Sequence, residues 1–289
     1  MPLTTYDEAK PWAASIRDEV LSGRMPPWFA APGFGSFSND AGLTPIEIEM
    51  LARWANGGAP AGPESVAAPV APPNVDRKSS LRLQFPAIAV TGGTTERFDV
   101  PLNLDRDRWV TGWAFQPGNA TVVEHAAITI EPAGAELGTW TPLDGPITFP
   151  ARIAQRLPQA SRLSVELRYR KATEPQTDRS SLMLFFGPRP SHELRHRSLA
   201  CGTDRIDETI DIVAVNPHAR AAGESVEIVA RHADAAIEPL AVVKRWEPAY
   251  PVTYRMRIPV RVERGSRLDI RSSAVECGAT IDYVVTPAS

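Results

Sequence analysis

The sequence predicts an all-β protein, two antiparallel β-sandwiches preceded by a small helical N-terminal segment. Three observations carry this. Beyond residue 80 the apolar residues fall into short runs, many alternating with polar residues, as half-buried strands require. No long stretch of helical period separates those runs, which argues against a doubly wound parallel sheet. The chain also holds 28 prolines in 289 residues, about twice the ordinary share, which suits many strands joined by turns.

The helical segment covers residues 1–62. A first helix is expected over about residues 7–22, with Trp12, Ile16 and Val20 on one stripe and Pro11 limiting its first turn. "LTPIEIEMLARWANGG" predicts a second. Thr44 is an N-cap, Pro45 fits the first turn, Glu47 completes a capping box, and Gly57 and Gly58 stop the helix. Between them "RMPPWFAAPGFGSF", residues 24–37, reads as an ordered loop. "APAGPESVAAPVAPPNVD" then reads as an extended linker or a strap along the surface, with residues 63–80 assigned to the linker. Strands are expected at 81–85, 109–115, 121–130, 163–170 and 182–187, and again at 209–215, 225–231, 240–246, 254–260, 267–273 and 280–285. Residues 81–190 then form the first sandwich and 191–289 the second, with the seam near "GPRPSHELRHRS".

Net charge is −3, which gives no bulk drive toward nucleic acid or anionic membrane. No apolar run approaches the roughly 20 residues that span a bilayer. "MPLTTYDEAK" lacks the basic start and apolar core of an export signal, so the chain as written is expected to be cytoplasmic. Cys201 and Cys277 admit two readings: one disulfide closing a loop of roughly 75 residues, or two buried thiols.

Two stretches resemble known families. Residues 3–62, from "LTTYDEAKPWA" through "MPPW" to "LARWANGG", resemble the cytochrome c-like module that opens some bacterial multidomain proteins. There a Cys-x-x-Cys-His motif attaches haem, and Met25 would be the distal iron ligand. This chain has no cysteine before Cys201 and no histidine before His125, so covalent haem is not expected for it. Were the natural chain to begin upstream of Met1, the motif and an export signal would lie there. The protein would then be periplasmic or secreted, handling electrons through Met25.

From residue 81 onward, "DRWVTGWAFQPGNATVVEHAAI", "LRYRKATEPQTDRSSLMLFF" and "VNPHARAAGESVEIVAR" resemble the copper type II, ascorbate-dependent monooxygenases of the peptidylglycine and dopamine hydroxylating kind. The resemblance implies two jelly-roll-like sandwiches facing across a cleft, each holding one copper. By position the first copper's ligands fall on Glu124, His125 and Arg168. The second copper's fall on His218, Arg220 and Glu276. Only His125 and His218 survive as ligand residues.

Copper cycling between oxidation states wants imidazole and thioether donors. A guanidinium has no lone pair to give and stays protonated. Both sites are therefore expected to be dead, with no cofactor for the chain as given. Each former site now pairs a glutamate with an arginine, which leads to the expectation of an internal ion pair at each position. Glu124 and His125 can face one site only if their strand is twisted or bulged there, since neighbours on a regular strand point to opposite faces. The plain alternative for His125 is a half-buried strand histidine bonded to a neighbour. Arg168 would then sit on a polar strand face, and His192, His196 and His232 in solvated loops. Without haem the helices must pack on the sandwiches, bind something else or fray. Docking with Trp12, Trp28 and Trp54 buried is expected.

The expected function is a degenerate, non-catalytic relative of these monooxygenases, a binding or structural component. Its cleft would take an unknown protein or small-molecule ligand. The alternatives are an active copper enzyme with altered ligands, or the exported haem or copper electron-transfer protein.

Overall fold

The computed structural model describes residues 3, 5–62, 80–273 and 276–286. The predicted linker at 63–80 lies outside them except at its last residue. The chain divides into a helical unit, residues 1–29 with 40–74, and a β-unit, residues 30–39 with 75–289.

In the helical unit the expected first helix is two. α1 (Tyr6–Ala9) and α2 (Ala13–Leu21) are separated by a 3-10 turn at Lys10–Trp12, because Pro11 cannot sustain the α-helical ladder. The break turns Trp12 off the stripe that Ala13, Ile16 and Val20 share. Trp12 is 45% exposed, while Trp28 and Trp54 are half-buried, so the expected burial of all three does not hold. α3 (Pro45–Asn56) carries the predicted capping box: Glu47 N–H donates to Thr44 Oγ1, and Thr44 N–H donates back to Glu47.

Among the described residues the β-unit holds sixteen principal strands in two sets of eight. The first set is β1 (Ser80–Gln84), β2 (Thr95–Pro101), β3 (Arg108–Gln116), β4 (Val123–Glu131), β5 (Ala135–Trp140), β6 (Ile153–Leu157), β7 (Arg162–Tyr169) and β8 (Ser181–Gly187). The second is β9 (Arg195–Ala200), β10 (Gly202–Arg205), β11 (Ile210–Ala219), β12 (Val226–Arg231), β13 (Ile237–Val243), β14 (Tyr254–Val262), β15 (Arg267–Ser272) and β16 (Cys277–Val285). The first set forms sheets in the order β1-β8-β3-β6 and β2-β7-β4-β5. The second repeats it, as β9-β16-β11-β14 and β10-β15-β12-β13. Within each set of eight this is first-eighth-third-sixth over second-seventh-fourth-fifth, the strand order of a jelly roll. The protein is therefore all-β, two jelly-roll sandwiches in tandem. His192–Glu193 adds to β6 in parallel, so the first sandwich's sheet continues past residue 190.

Burial alternation builds each core. β7 reads Leu163, Val165, Leu167 and Tyr169 inward, all at most 1% exposed, with arginine, serine and glutamate outward. Cys201 and Cys277 are bonded, with Cα atoms 5.2 Å apart, and tie the ends of β9 and β16. This resolves the two readings of the cysteines in favour of the disulfide. A carboxylate buried at 1% exposure, Asp178, fixes the turn that enters β4. It accepts from Tyr169 Oη at 2.9 Å, Ser180 Oγ at 2.8 Å and the Asn119 amide at 2.8 Å.

Residues 30–39 form a strap over the second sandwich. Ala30 bridges Val243 of β13, and Phe37 bridges Met256 of β14. These are the outer strands of the two sheets, so the strap covers edges that would otherwise offer unpaired backbone groups. Phe37 is 4% exposed and stacks on Tyr254 at 5.2 Å between ring centres. Phe37→Ala is expected to lower the unfolding free energy by about 3 kcal/mol. Phe34→Ala, at a 43% exposed strap position, should change it by less than about 0.5 kcal/mol. Urea denaturation of the two variants checks this.

Candidate functional site

Glu124 and His125 lie on a β-bulge. β4 pairs with β7 through Val123 opposite Tyr169 and His125 opposite Arg168, leaving Glu124 as the extra residue. The burial record shows the same thing: Val123 is inward, Glu124 and His125 are both outward, and inward positions resume at Ala126, Ile128 and Ile130. The bulge therefore brings the two adjacent side chains onto one face, toward the second sandwich.

Arg168 Nε lies 3.8 Å from Glu124 Oε2, and Arg170 Nε lies 3.5 Å from Glu124 Oε1. The expected glutamate–arginine pair is present at the first position, with a second arginine sharing the same carboxylate. Arg168 uses its other nitrogens elsewhere. Nη1 donates to Pro248 O and Nη2 to Ala249 O, each at 3.0 Å. It is not a surface ladder residue but a tie from the first sandwich to a loop of the second.

His125 has a buried Nε2 with no hydrogen-bond partner. Burial, followed by the Arg168 charge, pushes its pKa down to about 4, against a smaller upward pull from Asp144. It is therefore a neutral imidazole near pH 7. Asp144 stands beside it and holds Arg255 of β14 at 2.7 Å; the two side chains are 8% and 18% exposed. Thr139 and Thr253 hydroxyls meet at 3.1 Å alongside. Apolar contacts continue the seam through Phe149, Ile153, Leu194, Val213 and Val284. A cavity of about 60 Å³ remains between the sandwiches, lined by Trp113, Glu136, Asn216, Arg255 and Asp282 among others.

The second position is different in character. His218, near the end of β11, is exposed, and its ring nitrogen sits against Gly278, where a Cβ would come within 2.6 Å of it. Burial pulls its pKa down, with an upward contribution from the Asn216 backbone. Arg220 Nη1 pairs with Glu276 Oε1 at 3.0 Å, but these side chains are 71% and 67% exposed. The pair forms as expected, yet out in solvent, where such pairs contribute little. Met25 lies on a loop of the helical unit, 42% exposed.

Neither donor set fits copper. Each expected set comprises one imidazole, a guanidinium and a carboxylate, and a cation at an expected ligand position would repel a metal as well as fail to bind it. Among the described residues, no three His, Cys, Asp or Glu side chains converge to hold a metal ion. Nor is any described helix long and apolar enough to cross a membrane.

Of the remaining histidines, two depart from the solvated loops expected for them. His196 lies in β9 with its side chain 11% exposed, bonded through Nδ1 to Asp282 at 2.7 Å. His232 is 20% exposed and bonds Glu238 at 3.2 Å. His192 is half-buried in the short strand beside β6. The carboxylate across a strand pair, visible only once β9 and β16 are aligned, was the missing signal for His196.

No family model matches the chain, and no curated protein matches it. Among solved structures it is similar to the major capsid protein P2 from bacteriophage PM2, at 13% identity and a TM-score of 0.35, covering 72% of this chain and 98% of that one. It is also similar to the STIV MCP, at 8% identity and a TM-score of 0.33, covering 71% and 97%. Likenesses this distant carry no argument, and the jelly-roll assignment rests on the strand order.

Two outcomes follow from the seam. Arg168→Met, which removes both carbonyl bonds, should cost about 2–3 kcal/mol, and Arg220→Met less than about 0.5 kcal/mol, by urea denaturation. His125 has a folded pKa below its unfolded value, so its contribution is complete above about pH 6.5 and is lost as pH falls toward 4. His125→Leu should flatten that acid limb by about 3 kcal/mol at most, read from unfolding free energies across the range.

Proposed function

We propose that this chain is a non-catalytic relative of the copper type II, ascorbate-dependent monooxygenases, serving as a binding or structural component. The observation that carries the reading is Arg168. At the position of the first copper's third histidine stands a permanent cation whose two terminal nitrogens bond Pro248 and Ala249. A residue that would hold a metal in the resembling enzymes here holds one sandwich to the other. The glutamate–arginine pair at Arg220 and Glu276 supports the same reading at the second position.

A binding role would use the open groove of about 580 Å³ that runs along the seam past Glu136, Arg156, Glu193, His196 and Tyr283. Its occupant would be a small molecule or a protein segment. The rival reading is an active copper enzyme with altered ligands. Its support is His125, an imidazole with a buried and unpartnered Nε2.

Copper content after reconstitution separates the two. The purified chain is incubated with copper and ascorbate, desalted and measured beside a His125→Ala/His218→Ala double variant. Near-zero copper in both is the expected result. One or two coppers per chain, lost in the double variant, would overturn the non-catalytic reading.

A further inference from the structure

A second cluster stands on the seam, apart from the former copper positions. Glu136 belongs to β5 of the first sandwich. His196 of β9 and Asp282 of β16 are direct cross-strand partners in the second. Asp282 Oδ1 lies 2.7 Å from His196 Nδ1, which orients the ring. His196 Nε2 is buried and has no partner. Glu136 is half-buried, and its backbone oxygen accepts from Gln155 at 2.7 Å. Glu136 and Asp282 line the cavity, and Glu136 and His196 line the groove beside it.

The other charges facing this cluster are already committed or weakly placed. On the cavity side Arg255 is held by Asp144. On the groove side Arg156 is held by Asp107 at 2.7 Å, and Arg195 lies 3.7 Å from Glu208. Glu193 and Tyr283 also line the groove. The positive charge left to offset Glu136 and Asp282 is that of His196.

We propose that Glu136, His196 and Asp282 form a proton-controlled latch across the seam, closed while His196 is charged and loosened when it gives up its proton. The imidazole is bonded to a carboxylate of the second sandwich and lines the same groove as a glutamate of the first. Deprotonation leaves two half-buried acids facing a neutral ring, which desolvation and like-charge repulsion both disfavour.

The shifts agree in sign. Burial works against the charge of His196, but the Asp282 hydrogen bond and the charges of Asp282 and Glu136 outweigh it and hold its pKa above the ordinary histidine value. Burial, then Asp282, pushes Glu136 up, with His196 opposing. Groups raised on folding stabilise most at low pH, and that stability is lost as pH rises through the folded values. The latch is therefore tight in weak acid and loose above neutrality, opposite in sign to His125.

Hydrogen exchange of the full chain at about pH 5.5 and about pH 8.5, corrected for intrinsic rates, tests this. Amides of Leu194–Ala200 and of Cys277–Val285 should open several-fold more at the higher pH. Those of β12 should not change. His196→Gln should exchange fast at both values, and Glu136→Gln slowly at both. The opposed directions keep the test decisive if one variant folds poorly. Equal wild-type opening at both values, or a pH difference that survives in both variants, would overturn the latch.

Discussion

A guanidinium cannot shed its charge, so any arginine drawn into the seam between the sandwiches must find acceptors there. That constraint organises the junction. Arg255 takes the carboxylate of Asp144, and Arg168 takes two backbone oxygens with Glu124 at its Nε. Each pairing has one partner in either sandwich or a reach across to the other, so the charges that seem costly to bury also fix how the two jelly rolls meet. Replacing Asp144 alone would leave the buried Arg255 charge without its complement, which costs more than the pair contributes.

The same junction explains why adjacent residues on β4 act together. The bulge that turns Glu124 and His125 to one face is held by the turn before it. Asn119 is fixed by Asp178, and its oxygen accepts from both Val122 and Val123. Asp178 is held in turn by Tyr169, the residue opposite Val123. A chain of satisfied buried polar groups thus runs from the interior of the first sandwich to the face on which the seam is built. Such chains rigidify because no member can move without orphaning another.

Much of the fold was legible in the sequence because the inner strands are short apolar runs bounded by turn residues, with regular alternation along β7. β4, β7, β8, β11, β12 and β16 were all expected from period and flanking turns. The unseen strands lie mostly at sheet edges. β2, "TERFDVP", exposes most of its residues, and β10, "GTDR", has no apolar residue at all, so periodicity offered nothing to read. Capping chemistry marked α3 correctly because it is local. The site was half legible. The glutamate–arginine pairings were expected from the positions the resemblance implied, and a twist or bulge was the condition for Glu124 and His125 to share a face. What Arg168 bonds did not, since Pro248 and Ala249 lie 80 and 81 residues further along the chain. His196 was misjudged for the same reason, its partner being 86 residues away.

The strap has a consequence for how the chain is made. Ser38 finds its backbone partner in Arg255, 217 residues later. During synthesis at roughly 5–20 residues per second, residues 30–39 emerge about ten to forty seconds before the strands they cover. Throughout that interval the strap waits unpaired, and β13 must appear before β14 can share it. The protection of the second sandwich's open side therefore pairs late, with a segment made long before the strands it covers. A fragment begun after residue 39 would carry those edges bare from the moment it left the ribosome.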